Sequence, residues 1–190
     1  MRRLDQICRY QSRGVIGVGL GGREEEYPAA LYEGVYKEAG RRGLFLTAHA
    51  GEAAGAQSVW AALNRLGVRR IGHGVRAYED PVLVTVLRER KIPLEMCITS
   101  NVRTGVVRSV REHPIRQLFQ RGVKVTVNTD DPTMFGCTLA GEYLLLLNDL
   151  DFTPGEIRTV CLNGVEATVL DMTRKSALAR QVEQAWSGVV

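Results

Sequence analysis

Short apolar runs alternate with segments of helical periodicity along most of the chain. Residues 14–20 (GVIGVGL) read as a short buried strand ending in glycines. Residues 28–42 predict a helix, because Ala30, Leu31, Val35, Tyr36 and Ala39 recur at helical spacing and Gly43 supplies a stop. The pattern then predicts a strand over 44–49, a helix over 56–66 closed by Gly67, and a strand over 68–73. A helix over 80–90, a strand over 93–98, a short helix over 114–120 and a strand over 123–128 follow. About five strand–loop–helix cycles of roughly 25 to 30 residues argue for parallel strands joined by crossover helices. After Cys137 the pattern changes to helices over 138–150, 154–170 and 173–186 with no strand between them, a closing helical layer. No linker or low-complexity stretch interrupts the chain, so residues 1–190 read as a single α/β domain.

Glycine, polar and acidic residues gather where each strand ends. The clusters are Gly21-Gly22-Arg23-Glu24, His49-Ala50-Gly51-Glu52, Gly72-His73-Gly74, Thr99-Ser100-Asn101 and Thr129-Asp130-Asp131-Pro132. In parallel α/β architecture the C-terminal strand ends carry the chemistry. These clusters should therefore converge on one rim.

Composition narrows the classes. A hydrophobic fraction of 45% is ordinary for a globular chain and excludes global disorder. No apolar run approaches the ~18 residues of a membrane span, and the start lacks the apolar stretch of a secretory signal. The net charge of +4 comes from 25 basic residues, of which only Lys37, Lys91, Lys124 and Lys175 are lysines; the arginines are interspersed among acids without a basic block. No nucleic-acid or membrane partner is expected. Cys8, Cys97, Cys137 and Cys161 are widely spaced and form no C-x-x-C, which suits reduced thiols in a cytoplasmic protein.

His49 stands at the end of its strand, and Glu52 lies about one turn onward after Gly51. An imidazole can bind zinc and a nearby carboxylate can move protons; a backbone-bonded histidine beside a helix-capping glutamate is the plainer alternative. His73, between Gly72 and Gly74, is either a second group on the same rim or a satisfied structural histidine. Asp130 and Asp131 repel each other unless a cation or donors compensate, although an aspartate there can equally cap a helix. The glycines at 17, 19, 21 and 22 do not make a G-x-G-x-x-G loop, and Glu24, Glu25 and Glu26 would repel a phosphate. A backbone amide near Gly22 is the better candidate for ligand contact. His113, before Pro114, reads as structural or capping. Trp60 and Trp186 read as packing residues, and Glu142, Tyr143 and the leucines 144–147 as a buried helix with a polar start. A mononuclear metal site with an acid and a positioned histidine covers the strand-end groups together, which is the pattern of metal-assisted hydrolysis.

Four segments carry a family resemblance: Thr47-Ala48-His49-Ala50-Gly51-Glu52, Ile71-Gly72-His73-Gly74, Thr99-Ser100-Asn101 and Asn128-Thr129-Asp130-Asp131-Pro132. Their order and approximate spacing resemble the adenosine deaminase family, and Asn163-Gly164-Val165-Glu166-Ala167 is similar to that family's C-terminal helix. The resemblance covers roughly residues 9–170. It implies a (β/α)8 TIM-barrel metallohydrolase that replaces an exocyclic purine amine by oxygen and releases ammonia. It further implies His49 and Asp130 as Zn2+ ligands and Glu52 as the acid that protonates the purine ring. His73 would orient the attacking water and help deprotonate it. Asp131 and the backbone of Gly22 would contact opposite edges of the purine.

Two departures stand out. Ile98 follows Cys97 where the family usually has proline, which concerns loop shape. The family's His-x-His pair, which supplies two more zinc ligands, does not occur; the histidines are His49, His73 and His113. About five β/α units fall short of the eight in ~250 residues that such a barrel takes. The expectation is a partial barrel, the C-terminal portion of a deaminase, able to self-associate through open edges. Adenosine, adenine and aminodeoxyfutalosine are the candidate substrates. The alternative is an inactive remnant that only binds a purine or a subunit.

Overall fold

The computed structural model describes residues 2–188. Five strands form one parallel sheet in chain order: β1 (Gly17–Val18), β2 (Phe45–Ala50), β3 (Arg70–His73), β4 (Leu94–Met96) and β5 (Val125–Val127). Strand neighbours in sequence are neighbours in space, with helices Glu33–Arg41, Ala56–Ala61, Pro81–Glu89 and Ile115–Gln120 between them. This is the parallel α/β arrangement expected from the alternating pattern, and its five strands agree with the partial barrel that the family resemblance implies. Along β2 the residues alternate in cover: Leu46, Ala48 and Ala50 are buried, whereas Phe45, Thr47 and His49 are less covered. The buried face continues through Ile71, Leu94 and Met96 and packs with Tyr36, Val59, Leu83 and Leu118 in one apolar core. At register, His49 lies opposite Gly72, Gly72 opposite Glu95, and Glu95 opposite Thr126.

The C-terminal helices Leu139–Asp149, Pro154–Ala167 and Met172–Trp186 close the β5 side. The Asn163 amide donates to the Val125 carbonyl at 3.1 Å, which docks helix Pro154–Ala167 onto β5. Trp60 is a packing residue that also donates its indole N–H to Asp80, 2.8 Å away, while the other Asp80 oxygen caps helix Pro81–Glu89. No helix among the described residues is long and apolar enough to cross a membrane.

The structure differs from the sequence expectation in four places. Regular strand structure in 14–20 is confined to Gly17–Val18, although backbone bonds to β2 continue to Leu20. The glycines leave this edge segment without side chains to hold a pleat. The helix expected over 28–42 starts as a tight turn at Ala29–Tyr32, and the one over 56–66 ends in a wide turn at Ala62–Leu66. Finally, residues 98–103, read partly as strand and partly as loop, form the helix Ile98–Arg103. Six residues are too few to display a helical period, and Ile98, Ser100 and Asn101 are all fully buried, so no polar face marks it.

Candidate active site

His49 leaves β2 on its less covered face. Its ring has room because the facing residue on β3 is Gly72: a Cβ there would lie 2.6 Å from His49 Cδ2. The chain then turns at Gly51, whose φ is +69° and where a Cβ would come within 2.6 Å of Val59. The turn is fastened by Glu24. Its carboxylate accepts from the backbone N–H groups of Gly51 (3.1 Å), Glu52 (3.0 Å) and Ala54 (3.2 Å) and from the Ser58 hydroxyl (2.9 Å). Sequence reasoning gave Glu24 only a repulsive role. Its partners lie 27 to 34 residues away, a separation that leaves no local signal.

His73 ends β3 in the left-handed region, φ 64°, a conformation that a bulky residue adopts only where its surroundings hold it. Its ring is buried and meets the His49 ring edge-on, centroids 4.7 Å apart. His73 Nε2 is 3.4 Å from Glu52 Oε2. Its Nδ1 is 3.2 Å from the Asn101 amide nitrogen, which also reaches Glu52 Oε1 at 3.5 Å. The next helix position holds the other side of the site: the Ser100 hydroxyl donates to Asp130 Oδ2 at 2.7 Å. Asp130 is itself left-handed, φ 56°. Thus Ser100 and Asn101, adjacent on helix Ile98–Arg103, hold two different strand-end groups. The sequence placed both residues at the rim but gave neither a role.

His113 is a structural residue, one of the two roles read from sequence: Pro114 holds the N-cap position, and His113 Nδ1 accepts the Ile115 N–H at 3.2 Å. Its other nitrogen is 3.2 Å from Asn101 Oδ1, a link that sequence reasoning missed. Asp131 occupies the N-cap position of the short helix Pro132–Phe135, yet its carboxylate makes no capping bond; its backbone carbonyl accepts from Met134 and Phe135 instead. The helix-cap alternative for the Asp131 side chain therefore does not hold.

Burial pushes the Glu52 carboxyl up to about 7, with the Asp130 and Glu24 carboxylates adding to the shift. Glu52 is thus poised to carry a proton near neutral pH. Burial pushes His73 down to about 4, reinforced by His49 and opposed by Asp130. Burial and then the neighbouring carboxylates raise the Cys97 thiol well above its ordinary value.

Two groups of potential metal donors share His73. Ligand atoms of His49, Glu52 and His73 lie within 4.8 Å of one another, as do those of His73, Cys97 and Asp130. Imidazole and carboxylate donors fit zinc chemically, and the Ser100 bond to Asp130 is the kind of outer partner that orients a ligand carboxylate. A cavity of about 470 Å³ adjoins this cluster at His49. Gly21, Gly22, Tyr27, Pro28 and Gln57 help line it; Glu52, His73, Asp130 and Asp131 do not.

Chemistry collected at the C-terminal ends of parallel strands is the arrangement of TIM-barrel hydrolases, and that is the class the fold and rim define. Residues 1–185 match the adenosine deaminase family, and the chain belongs to it. It is 41% identical to adenosine deaminase from Serratia proteamaculans over 89% of its length and 51% of the relative's. It is 39% identical to aminodeoxyfutalosine deaminase from Streptomyces avermitilis, over 95% and 51%. Among solved structures, adenine deaminase from Arthrobacter aurescens superposes with a TM-score of 0.88 at 31% identity, covering 96% of this chain and 57% of that one. An amidohydrolase from Burkholderia ambifaria with bound Zn gives 0.84 at 26% identity, covering 95% and 53%. The chain spans about half the length of the curated relatives it matches.

Proposed function

We propose that this chain is the C-terminal part of a zinc-dependent purine deaminase barrel and carries one half of its active site. The observation that supports this most is the placement of Glu52, a carboxyl held near neutral pKa, against His73 and close to His49. His49 and Asp130 would hold the zinc, which lowers the pKa of a water it binds to about 7. Glu52 would deliver its proton to a purine ring nitrogen and make the adjacent carbon electrophilic. His73, fixed beside Glu52, would orient the attacking water. Asp131, whose carboxylate caps nothing, is free to accept from the purine, and the Gly22 N–H would donate to its opposite edge. The exocyclic amine leaves as ammonia.

Two more zinc ligands, expected from a His-x-His pair, are not in this sequence. They would come from polypeptide that completes the barrel beside the outermost strands β1 and β5, the same edges through which the chain could self-associate. Four free cysteines suit a cytoplasmic setting. Adenosine, adenine and aminodeoxyfutalosine remain the substrate set, since relatives carry names for each.

Ammonia release from these three purines by the zinc-loaded barrel, this chain completed by the polypeptide that supplies the other two ligands, tests the reading. Turnover of at least one is expected, lost in Glu52→Gln with zinc retained. Purine binding with no ammonia from any of them would favour the binding-module alternative.

A further inference from the structure

Asn101, His113 and His73 form a buried hydrogen-bonded line whose polarity can be derived from one end. That end is the Ile115 N–H. It belongs to the first turn of helix Ile115–Gln120, where backbone N–H groups lack helical partners. A backbone N–H can only donate, so His113 Nδ1, 3.2 Å away, must accept and carries no proton. His113 is 3% exposed, and burial holds its pKa down at about 3. The ring is therefore neutral at pH 7, with its proton on Nε2. That N–H donates to Asn101 Oδ1 at 3.2 Å. The amide is thereby oriented, because the reverse orientation would set its NH2 against another donor. Its Nδ2 then faces His73 Nδ1 at 3.2 Å and can only donate to it.

We propose that Asn101 and His113 are positioning residues that fix the proton of neutral His73 on Nε2, so that His73 meets the site as a hydrogen-bond donor and not as a base. Each link forbids the alternative at the next. A proton on His73 Nδ1 would require Asn101 to reverse, which would require His113 to exchange tautomers, which would set two donors together at Ile115. Nε2, the nitrogen nearer Glu52, is therefore the one that keeps its hydrogen. The tautomer stands on these hydrogen bonds alone; its catalytic meaning rests on the deaminase reading above. Under that reading His73 would hold the attacking water through its N–H, and removal of the water's proton would fall to another group.

The test is a long-range proton–nitrogen correlation spectrum of the 15N-labelled protein at pH 7.5 without added metal. With three histidines in the sequence, His49→Gln and His113→Gln variants assign the imidazoles. His73 and His113 should each show an unprotonated Nδ1 and a protonated Nε2. In Asn101→Asp the carboxylate can still accept from His113 but can no longer donate to His73. His73 should then exchange the two nitrogen classes while His113 keeps its own. A protonated Nδ1 on His73 in the unaltered protein would overturn the proposal, and so would an unchanged His73 tautomer in the folded aspartate variant. A role for Asn101 in packing alone predicts no exchange. Because the readout needs neither metal nor purine, its failure is separable from a failure to release ammonia.

Discussion

The two strand-end histidines of this chain are held in opposite ways. His73 is 2% exposed, left-handed in backbone, and tied through Asn101 to His113 and the start of a helix. His49 sits on the less covered face of β2, and its ring makes no hydrogen bond among the described residues; Gly72 and Gly21 border it instead. The chain builds the surroundings of His73 from its own residues. It leaves His49 as a group with a fixed position and open nitrogens, as suits a ligand. A polar group that is buried needs its partners supplied during folding, whereas a metal ligand must keep one donor atom free for the ion.

The contrast can be broken most severely at Asn101. Asn101→Leu strands His73 Nδ1 and His113 Nε2 in a buried place, and about 1–3 kcal/mol per orphaned group gives a loss of about 2–6 kcal/mol. Urea denaturation measures it. Acid should act on the same side of the site. His113 has a folded pKa of about 3 against about 6.5 when unfolded, so the unfolded state binds the proton first on acidification. The His113 contribution to stability should be level above pH 6.5 and fall between pH 6.5 and 3. The His113 share should reach about 2 kcal/mol by pH 5, seen as a shallower pH slope in a His113→Gln variant.

The His49 side responds differently. Gly72→Ala drives a methyl against the His49 ring, 2.6 Å from Cδ2. A loss of about 1–3 kcal/mol is expected from the overpacking, together with weaker zinc uptake measured by metal analysis. The smallest effect belongs to Asp131. Its carboxylate caps nothing, so Asp131→Asn should change the unfolding free energy by no more than about 0.5 kcal/mol while weakening purine binding measured by calorimetry.

What was legible in the sequence follows the same division. Apolar runs ending in His49, His73 and Asp130 announced parallel strands and a rim, because strand ends leave a sharp change from apolar to polar residues. Helix Ile98–Arg103 did not announce itself, being short and buried on several sides. The functions of Glu24, Ser100, Asn101 and His113 were also hidden. Ser100 reaches Asp130 across 30 positions and Asn101 reaches His73 across 28. Such bonds are made only after the sheet brings the strand ends together, so neither periodicity nor local spacing records them. His113 reads from sequence as structural or capping, which covers its local bond to Ile115, but its second nitrogen reaches Asn101 in the site.

The most direct measurement is a zinc titration by calorimetry on the folded protein and on His49→Ala, Asp130→Ala and Glu52→Gln. Zinc binding that is lost with His49 or Asp130 and kept in Glu52→Gln is expected. Zinc binding unchanged in His49→Ala would contradict the view that His49 is the open ligand of a half-built site.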